Sequence, residues 1–482
     1  MGGSGESTEG HPPTDCETTL PWNLSTKGNL AMKDFIEFLR NQGELLSVST
    51  PLHPRHEISS VLSELGRKEG PAILVEKVKG YSFSVIGNLL GTRKRLSVAL
   101  GIDPSVLSEA VLPRLENRLP PVLISDPNPK EVLTKKTGID LLRLLPVLTH
   151  YEKDSGPYIT SGITSAKNPR DGTIGRGLHR MEVRGKNLLG ISLNTPPLSE
   201  IYAHYKRESR KMEVATVIGV HPTVLLASIL RVPLGIDKLS VAGGLAGRSI
   251  PLVSTQTVDL NVPAHAEITL EGFIDPQGKE EDGVMGESGG YYMAFRNSPS
   301  IHVTAITYRK NGIFHAIMPW GLEVDQLLSF LHEIDFVPNM KKEIPFLRKV
   351  YFIPKTFGSH VVMSLDSHNR GDIRRALVLA LSFPTIKKAV AVSNDVDPED
   401  THEVEWSVAT RFQADRDLIV LQGVKGLSID PSTGEGALTA KVGIDATRPK
   451  KEGFEKVGVP EEVKHRLAPM IKRLTTQVKG EV

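Results

Sequence analysis

One arginine and two acidic residues offer the most chemistry in this chain. Asp282 and Glu287 lie five residues apart in the segment Asp-Gly-Val-Met-Gly-Glu, whose glycines permit tight turns that bring both carboxylates to one place. Arg180 lies upstream. An arginine holds a carboxylate ionised and binds an anion through two hydrogen bonds, whereas a carboxyl group in a drier place has a raised pKa and delivers a proton. The set suggests acid–base work on an anionic substrate, and a solvated acidic loop is the alternative.

The segments that must position these groups show the alternation typical of β-strands. Around Arg180, apolar and polar side chains alternate, as expected for a half-buried strand with a solvated polar face. Glu267 and Glu271 alternate in the same manner with Ile268 and Leu270, and we interpret both glutamates as solvated. The alternating set around the arginine comprises His179, Met181 and Val183 on one face and Arg180, Glu182 and Arg184 on the other.

One generic catalytic motif is present, because residues 286–290 read Gly-Glu-Ser-Gly-Gly and fit G-x-S-x-G. A nucleophile elbow requires a strand before the serine and a helix after it. A polar loop precedes this motif and the strand-like Tyr-Tyr-Met-Ala-Phe follows it. We therefore do not interpret Ser288 as a nucleophile. The sequence also contains no phosphate-binding P-loop, dinucleotide fingerprint or H-E-x-x-H zinc motif.

Composition excludes several classes of protein. The 482 residues include 58 Lys and Arg against 56 Asp and Glu, and a net charge of +2 gives no basic footprint for nucleic acid. Hydrophobic residues make up 39% of the chain, and no uncharged apolar run reaches the ~18 residues of a membrane span. The single cysteine, Cys16, excludes an intrachain disulfide framework. We expect a soluble, cytoplasmic protein of about two to four domains.

The pattern along the chain predicts a tail and three domains. Residues 1–30 are rich in Gly, Ser, Thr and Pro, so we expect a disordered tail. Residues 31–125 predict an N-terminal α/β domain and residues 126–325 a β-rich, barrel-like domain. Residues 326–482 alternate helices and strands and close on an amphipathic helix, which predicts a second α/β domain.

Two predictions concern individual elements. The apolar segment Thr223–Ile229 is expected to be a strand of the β-rich domain. The first helix is expected to begin near Met32 and to carry apolar residues at roughly helical spacing. Those residues are Phe35, Ile36, Leu39, Leu45 and Leu46.

From Met32 to the end, the chain resembles the UbiD family of decarboxylases, which use prenylated FMN. The resemblance rests on the ordered segments LHRMEV, GVHPTVLLAS, GIDKLSVAGGLAG, VPAHAEITLEG, GESGGYY, SNDVD and WSVATRF. It implies an α/β fold with an N-terminal α/β domain and a central split β-barrel, similar to flavin reductases, that holds the cofactor. It also implies a C-terminal α/β domain with a linking and a terminal helix, and a homodimer or homohexamer.

The resemblance also implies a reaction and roles for three residues. The family decarboxylates aromatic, heteroaromatic or α,β-unsaturated carboxylic acids reversibly and without net oxidation, and it releases CO2. Glu287 matches the proton-donating glutamate and Arg180 the arginine that anchors substrate and cofactor. Asp282 stands where the family usually has a second glutamate, and it would orient Arg180. A flavin prenyltransferase would supply the cofactor.

The matched cofactor positions depart from the family at its divalent metal. The Asn, His and Glu that hold this metal correspond here to Gly175, Ser199 and Lys238, so we expect no divalent metal. The carbonyls of Ala227 and Ser228 match those that hold a monovalent cation. The full set of matched cofactor contacts is Gly175, Arg176, Gly177, Leu178, His179, Arg180, Leu198, Ser199, Ala227, Ser228 and Lys238.

Three interpretations of this departure remain open at the level of sequence. The Lys238 ammonium pairs with the cofactor phosphate as a point charge, helped by Arg176 and His179. Alternatively, cofactor binding is lost and the chain is a non-catalytic subunit or scaffold of a carboxylase complex. In the third, the register differs by one residue and Asp237 is a metal ligand. The basic residues also suit a phosphorylated isoprenoid precursor of the anhydromevalonate phosphate type, which is the alternative substrate.

Overall fold

A computed structural model of the protein describes residues 30–66, 70–125, 132–233, 235–278, 281–294, 298–447 and 456–479. The predicted disordered tail, including Cys16, lies outside them except for its last residue, Leu30, which is buried. The chain divides into two compact units. Unit 1 comprises Met1–Lys342, Phe352–His360 and Lys425–Thr439, and unit 2 comprises Glu343–Tyr351, Val361–Val424 and Ala440–Val482.

Unit 1 contains the elements that position the candidate site. Its helices are α1 (Met32–Asn41), α2 (Glu57–Leu65), α3 (Arg93–Leu100), α4 (Leu107–Glu116), α5 (Leu141–Leu144), α6 (Leu198–Arg207), α7 (Pro222–Ile229), α8 (Lys238–Ala246) and, apart from its last residue, α9 (Leu322–Glu343). Its strands are β1 (Leu45–Val48), β2 (Ala72–Val75), β3 (Ser84–Gly87), β4 (Val122–Leu123), β5 (Val132–Lys135), β6 (Tyr158–Ile159), β7 (Ile163–Lys167), β8 (Ile174–Leu178), β9 (Met181–Gly185), β10 (Leu188–Ile191), β11 (Met212–Ile218), β12 (Pro251–Ser254), β13 (Asn261–Pro263), β14 (Ile268–Ile274), β15 (Met285–Gly286), β16 (Tyr292–Met293), β17 (Ser300–Arg309) and β18 (Ile313–His315).

The largest sheet is antiparallel and carries the site on the connections between its strands. Its order is β6-β9-β10-β17-β14-β11-β7-β8, and β5 also pairs with β17. The central strand β14 places Leu270 opposite Thr216 of β11 and Ile306 of β17. Branched residues favour such strands because their stiff side chains pack well on a pleated surface. This curled half-barrel, together with the surrounding helices, confirms the predicted mixed α/β fold class.

A second sheet in unit 1, in the order β1-β2-β3-β18, corrects the predicted extent of the first helix. Helix α1 ends at Asn41, and Leu45 and Leu46 lie on β1, which pairs in parallel with β2. The helix cannot continue because Gly43 has a φ of +69°, a left-handed conformation that glycine adopts without strain. The apolar spacing across this turn is therefore not helical.

The segment predicted as the strand Thr223–Ile229 is helix α7, so that prediction was wrong. Pro222 occupies the first turn, and the His221 side chain accepts a hydrogen bond from the Thr223 backbone N–H at 3.3 Å. Both features are typical of a helix start. Seven of the eight residues of α7 are buried, so no polar face reveals the helical period in the sequence.

The prediction that Glu267 and Glu271 are solvated was also wrong, because each is only 1% exposed. Oε2 of Glu271 accepts hydrogen bonds from the backbone N–H groups of Gln256 and Thr257, at 2.8 and 2.6 Å. Oε2 of Glu267 accepts one from the N–H of Ile313 at 3.0 Å. Both faces of this part of the sheet are covered, and the carboxylates satisfy backbone donors that burial would otherwise leave unpaired.

Unit 2 is built on a five-stranded sheet of β19 (Leu347–Phe352), β20 (His360–Leu365), β21 (Lys388–Ser393), β22 (Leu418–Lys425) and β23 (Leu438–Ala446), in the order β19-β20-β21-β23-β22. Among the residues that the structure describes, no single helix has the length and apolarity to cross a membrane. Only the pair Arg93–Leu100 and Pro104–Glu116, bent by 90°, meets that test together. The helices of unit 2 are α10 (Arg370–Ser382), α11 (Thr401–Arg411) and α12 (Glu461–Lys479), and a few end residues of β19, β20, β22 and β23 belong to unit 1.

Candidate active site

The three residues predicted to be catalytic meet at one wall of a cavity of about 420 Å³, which we call the acid cavity. Arg180 lies in the short connection between β8 and β9, one residue from the strand that its alternation suggested. Asp282 precedes the short strand β15 and Glu287 follows it. The guanidinium donates through Nη2 to Oδ2 of Asp282 and through Nη1 to Oε1 of Glu287. The arginine is thus held between two carboxylates that come from a loop 102 and 107 positions away.

This group is largely removed from water. The exposed fractions of the Arg180, Asp282 and Glu287 side chains are 10%, 2% and 16%. The Ser298 hydroxyl donates to Oδ1 of Asp282 at 3.2 Å, and the guanidinium carbon of Arg180 lies 5.8 Å from the centre of the Tyr158 ring. Burial makes these charge-assisted hydrogen bonds stronger than they are in water. The alternative of a solvated acidic loop therefore does not describe this arrangement.

A turn at residues 150–155 fixes the loop that carries the two acids. Oδ1 of Asp154 accepts a hydrogen bond from the Gly286 N–H at 2.9 Å, and its Oδ2 accepts one from the Tyr151 N–H at 2.9 Å. The Ser155 N–H donates to the Val284 carbonyl at 2.8 Å. Asp154 thereby ties its own turn to the residue before Glu287. Sequence reasoning missed Asp154, because nothing local marks an aspartate that bonds a backbone 132 positions away.

Two glycines let the acidic loop approach this turn. A Cβ atom on Gly283 would overlap the Ser155 hydroxyl and lie 2.6 Å from the Tyr158 hydroxyl. A Cβ on Gly286 would overlap the Tyr151 ring. The glycines between Asp282 and Glu287 are therefore required for close packing, whereas the sequence suggested only that they permit turns.

Burial raises the pKa of the Glu287 carboxyl above its ordinary value, and the negative charge of Asp282 raises it further. Arg180 lowers this pKa through its charge and its hydrogen bond, but the effect of burial is larger. Glu287 consequently holds a proton to a higher pH than an exposed glutamate does. A protonated carboxyl at the wall of a cavity is suited to donate that proton to a bound molecule.

The rest of the acid cavity is mainly apolar. Of the described residues that line it, only His179, Arg180 and Glu287 have ionisable side chains. Helix α9 contributes one aliphatic face, and a few further apolar residues complete the wall. The apolar side chains concerned are Val324, Leu327, Leu328 and Leu331 of α9, with Leu178, Ile229, Met285, Ile317 and Pro319.

A second cavity, of about 740 Å³, adjoins the first, and we call it the lysine cavity. The two cavities have lining residues in common, namely Leu178, Thr195, Ile229, Leu328 and Leu331. Of the matched cofactor positions, Gly175, Arg176, Gly177, Leu178, Ser228 and Lys238 line the lysine cavity, and Leu178, His179 and Arg180 line the acid cavity. The lining residues of the two cavities do not include Leu198, Ser199 or Ala227.

Lys238, the first residue of α8, places a buried ammonium at the lysine cavity. The residue is 7% exposed, and its Nζ donates a hydrogen bond to the Ser228 carbonyl at 2.7 Å. Burial lowers the pKa of this amine to about 8. No carboxylate in the described parts of the chain forms an ion pair with it. At neutral pH, Lys238 therefore adds a positive charge to a wall that also includes Arg176, Arg231, Asp171 and Glu200, and none of the described carboxylates pairs with this ammonium.

Arg176, which also lines the lysine cavity, and Asp237, the residue before Lys238, are bound to each other. The Arg176 Nε donates to Oδ1 of Asp237 at 3.0 Å, and its Nη1 donates to the Ser165 hydroxyl at 2.7 Å. The same Asp237 oxygen accepts a hydrogen bond from the Leu239 N–H at 2.9 Å and so caps α8. Arg176 is thus held by the protein, and Asp237 serves the start of a helix.

His179 adds a neutral ring to the wall of the acid cavity. Its Nδ1 donates to the Ser192 carbonyl at 2.8 Å, which leaves Nε2 as an acceptor in the neutral ring. Burial, together with the charge of Lys238, lowers the pKa of His179 to about 4. The ring packs on Gly177, where a Cβ atom would lie 2.7 Å from Nε2. His179 therefore does not contribute positive charge at neutral pH.

The residues at the predicted divalent-metal positions do not fit such an ion. Gly175 and Ser199 have neither carboxylate nor imidazole, and Lys238 is itself a cation. A side chain at 175 would also overlap Ile201 and lie 3.2 Å from Pro197. Within the described ranges, no group of three or more His, Cys, Asp or Glu residues is placed to hold a metal.

Comparison with known proteins agrees with this fold. Residues 36–115, 123–322 and 325–446 match the N-terminal, Rift-related and C-terminal domains of 3-octaprenyl-4-hydroxybenzoate carboxy-lyase, UbiD. These three matches assign the half-barrel and its flanking domains to a class of carboxy-lyases. The chain is a member of the UbiD family.

Relatives within the family are similar over nearly the whole chain. The anhydromevalonate phosphate decarboxylase of Methanosarcina mazei is 34% identical over 446 residues, which cover 90% of this chain and all of that protein. The UbiD-class enzyme HmfF of Pelotomaculum thermopropionicum, solved with FMN, has a TM-score of 0.85 and 34% identity, over 91% of this chain and 99% of HmfF. An evolved dimeric form of HmfF, solved with prenylated FMN, has a TM-score of 0.81 and 33% identity, over 90% and 98% of the two chains.

Proposed function

We propose that this protein catalyses the reversible, non-oxidative decarboxylation of an aromatic, heteroaromatic or other α,β-unsaturated carboxylic acid, using prenylated FMN. The observation that carries the proposal is the Arg180 guanidinium held between Asp282 and Glu287 at the wall of an apolar cavity. Family membership and the flavins bound to HmfF support the cofactor. A homodimer or homohexamer and a flavin prenyltransferase partner stay predictions.

The residues of the two adjoining cavities fit a flavin nucleotide. Lys238 would hold the phosphate in the lysine cavity, and Gly177 leaves the wall open beside the His179 ring. The neutral Nε2 of His179 is available as an acceptor for an N–H or O–H group. When bound, the prenylated flavin supplies an acceptor for the electron pair that remains on carbon as CO2 leaves.

Glu287 would supply the proton that the reaction consumes. The carbon–carboxylate bond breaks to release CO2, and a new C–H bond forms with a proton from the Glu287 carboxyl. The glutamate is then an anion beside Arg180, whose charge stabilises it, and it recovers a proton from solvent. Its raised pKa makes the protonated form available nearer to neutral pH, where it is needed at the start of the step.

Arg180 and Asp282 would hold the reacting carboxylate and the proton donor in place. The Arg180 guanidinium has five N–H donors, so it would also hydrogen-bond to the carboxylate of an incoming substrate while Asp282 and Glu287 hold it in place. Asp282 is 2% exposed and bonds both Arg180 and Ser298, so it would fix the guanidinium plane. A fixed plane matters because a bidentate contact needs both N–H groups in register with the two acceptor oxygens.

The wall of the acid cavity favours a substrate that is uncharged apart from its reacting carboxylate. Helix α9 presents four aliphatic side chains to it, and the single arginine there is already paired with two acids. Its volume of about 420 Å³ lies in the range of small-molecule sites. An aromatic or alkenyl group would bury apolar surface against α9, whereas a second anionic group would find no unpaired cation in this cavity.

A phosphorylated substrate is the second candidate, and one observation favours it. The chain is 34% and 30% identical to two proteins named anhydromevalonate phosphate decarboxylase, over 90% and 88% of its length. Such a substrate is also an α,β-unsaturated acid, so the chemistry at Glu287 would be the same. The two candidates differ only in whether the site binds a phosphate on the substrate.

A matched pair of substrates separates the candidates. The protein is produced together with a flavin prenyltransferase, and CO2 release is measured from anhydromevalonate, its phosphate and a panel of aromatic acids. We expect CO2 release from acids that carry no charge apart from the reacting carboxylate. We also expect anhydromevalonate phosphate to react no faster than anhydromevalonate. A preference of 100-fold or more for the phosphate would assign the second candidate. No CO2 release and no solvent-deuterium incorporation into any product would contradict the decarboxylase proposal itself.

A further inference from the structure

We propose that the Lys238 ammonium is the resident cation of the cofactor-phosphate site, in place of both the divalent metal and the monovalent ion that the family holds at the matched positions. The inference rests on the proposed function only for the identity of the bound phosphate. Three observations support it. The ammonium lies at the wall of a cavity without an acidic partner among the described residues, and it already binds a carbonyl oxygen. A metal ligand at position 175 would overlap the Ile201 side chain.

The first observation is the unneutralised charge of Lys238. The residue is 7% exposed and lines a cavity of about 740 Å³, and no described carboxylate pairs with it. Burying an ammonium without a counter-ion is unfavourable, because the charge loses its hydration. A cavity beside such a group is therefore a site for an anion, and a phosphate monoester supplies both the charge and several acceptor oxygens.

The second observation concerns the Ser228 carbonyl, which matches a ligand of the monovalent ion. This oxygen accepts a hydrogen bond from Nζ of Lys238 at 2.7 Å. An ammonium group and a potassium ion are similar in size, and both bind carbonyl oxygens. The tethered ammonium thus occupies the position next to this carbonyl, and its charge repels a second cation there.

The third observation is that the divalent ion has lost its ligands and the space for one of them. The Cβ of any residue at 175 would overlap the end of the Ile201 side chain, so a ligand there requires Ile201 to move. Asp237, the carboxylate next in sequence to Lys238, bonds Arg176 and caps α8. The Arg176 guanidinium bound to Asp237 already balances the charge of this carboxylate and would repel a metal cation beside it.

A second buried lysine in the chain shows what a purely structural role looks like. Nζ of Lys441, in unit 2, donates to the carbonyls of Leu381 and Phe383 at 3.0 and 2.6 Å. Lys441 is 2% exposed and, unlike Lys238, is not among the residues that line the lysine cavity. Lys441→Met therefore removes a buried ammonium and its carbonyl contacts without touching the proposed phosphate site.

The experiment compares FMN with riboflavin, which differ by the phosphate alone. The purified chain is stripped with EDTA and dialysed into a potassium-free buffer, and each flavin is titrated by the change in its fluorescence. We expect FMN to bind about tenfold or more tightly than riboflavin, because hydrogen bonds to charged groups are the strong ones. Lys238→Met should abolish this preference and leave riboflavin affinity unchanged, while Lys441→Met should keep the preference. Thermal unfolding of both variants checks that each is folded.

The wild-type protein provides a test that depends on no variant. Manganese, magnesium or potassium should each change FMN affinity less than twofold, and elemental analysis of the untreated protein should find no stoichiometric divalent metal. Equal affinities for FMN and riboflavin, or a gain of tenfold or more on adding a cation, would overturn the inference. These readouts measure binding, so an FMN preference without decarboxylation would refute the proposed function and leave the phosphate site standing.

Discussion

The acid cavity and the lysine cavity adjoin each other, but they treat a buried cation in opposite ways. In the acid cavity, the Arg180 guanidinium is bound on two sides by Asp282 and Glu287. In the lysine cavity, the Lys238 ammonium donates to a backbone carbonyl and forms no ion pair with a carboxylate of the described residues. The first cation is neutralised by the protein itself, and the second is left for a ligand to neutralise.

The difference shows how burial is used for two purposes. Around Arg180, the acids satisfy the cation, and burial raises the pKa of the Glu287 carboxyl. Around Lys238, desolvation acts on the cation itself and lowers the pKa of the amine to about 8. The acid cavity is thereby suited to transfer a proton, and the lysine cavity is suited to bind an anion.

The largest effect should come from Glu287→Gln, which removes the proton donor and keeps the shape of the acid cavity. We expect the turnover number to fall by about 10²- to 10⁴-fold, the usual contribution of general acid catalysis. Flavin binding should persist, since Lys238 in the lysine cavity is unchanged. CO2 release and the absorbance of bound flavin check these two outcomes.

Glu281→Gln is the matched control, because Glu281 lies in the same loop and is exposed. It should retain near-normal turnover. Substantial turnover in Glu287→Gln, or an equal loss in Glu281→Gln, would show that Glu287 is not the proton donor.

Asp282→Asn should have the next largest effect and should alter the pH profile. The Asp282 charge raises the pKa of Glu287, so its removal lets Arg180 lower that pKa. The reaction needs protonated Glu287, so turnover should decline at a lower pH than in the wild-type protein, with a loss of about tenfold near neutral pH. Asp282→Glu keeps the charge and should keep the wild-type profile. An unshifted profile in Asp282→Asn would remove Asp282 from the tuning of Glu287.

Gly175→Asn tests whether the lack of space at position 175 prevents a metal from binding in the lysine cavity. The new side chain meets Ile201 and Pro197, and overpacking of this kind costs about 1–3 kcal/mol of unfolding free energy. We expect that loss in urea unfolding, with no gain in manganese affinity. Gly138→Asn is the control, since Gly138 has open space around it and a left-handed φ of +60° that asparagine tolerates. Manganese binding by Gly175→Asn would contradict the interpretation.

The smallest effect is a pH dependence of FMN binding that riboflavin should not share. The amine of Lys238 has a pKa of about 8, so it loses its charge as the pH rises past that value. At pH 9 about a tenth of it is protonated in the free protein, so FMN affinity should fall up to about tenfold between pH 7 and pH 9. Titrations at several pH values check this. A parallel decline for riboflavin would assign the effect to another part of the site.

The sequence predicted the acid cavity better than the lysine cavity, and the reason is physical. Asp282 and Glu287 lie in one short loop, so their spacing, together with the family resemblance, was sufficient to propose that they act with Arg180. Around the lysine, the resemblance suggested that Arg176 and His179 help to bind phosphate. In the structure, Arg176 is bonded to Asp237 and His179 has a pKa of about 4. Charge states of this kind depend on neighbours in space.

The same limit explains the incorrect predictions in unit 1. Glu267 and Glu271 have the alternation of a solvated face, but the loop at Gln256 and Thr257 and the strand at Ile313 cover them. Alternation reports which residues share a face of a strand, and it does not report what covers that face.

The sequence by itself determined the family, the fold class and the types of residue available for chemistry. These follow from the order of segments along the chain and from the identity of each side chain. Only the tertiary structure decided that Asp154 ties down the acidic loop and that the Lys238 ammonium lies against the Ser228 carbonyl. Burial, pairing and pKa are properties of groups brought together from distant positions, so they exist only after the chain has folded.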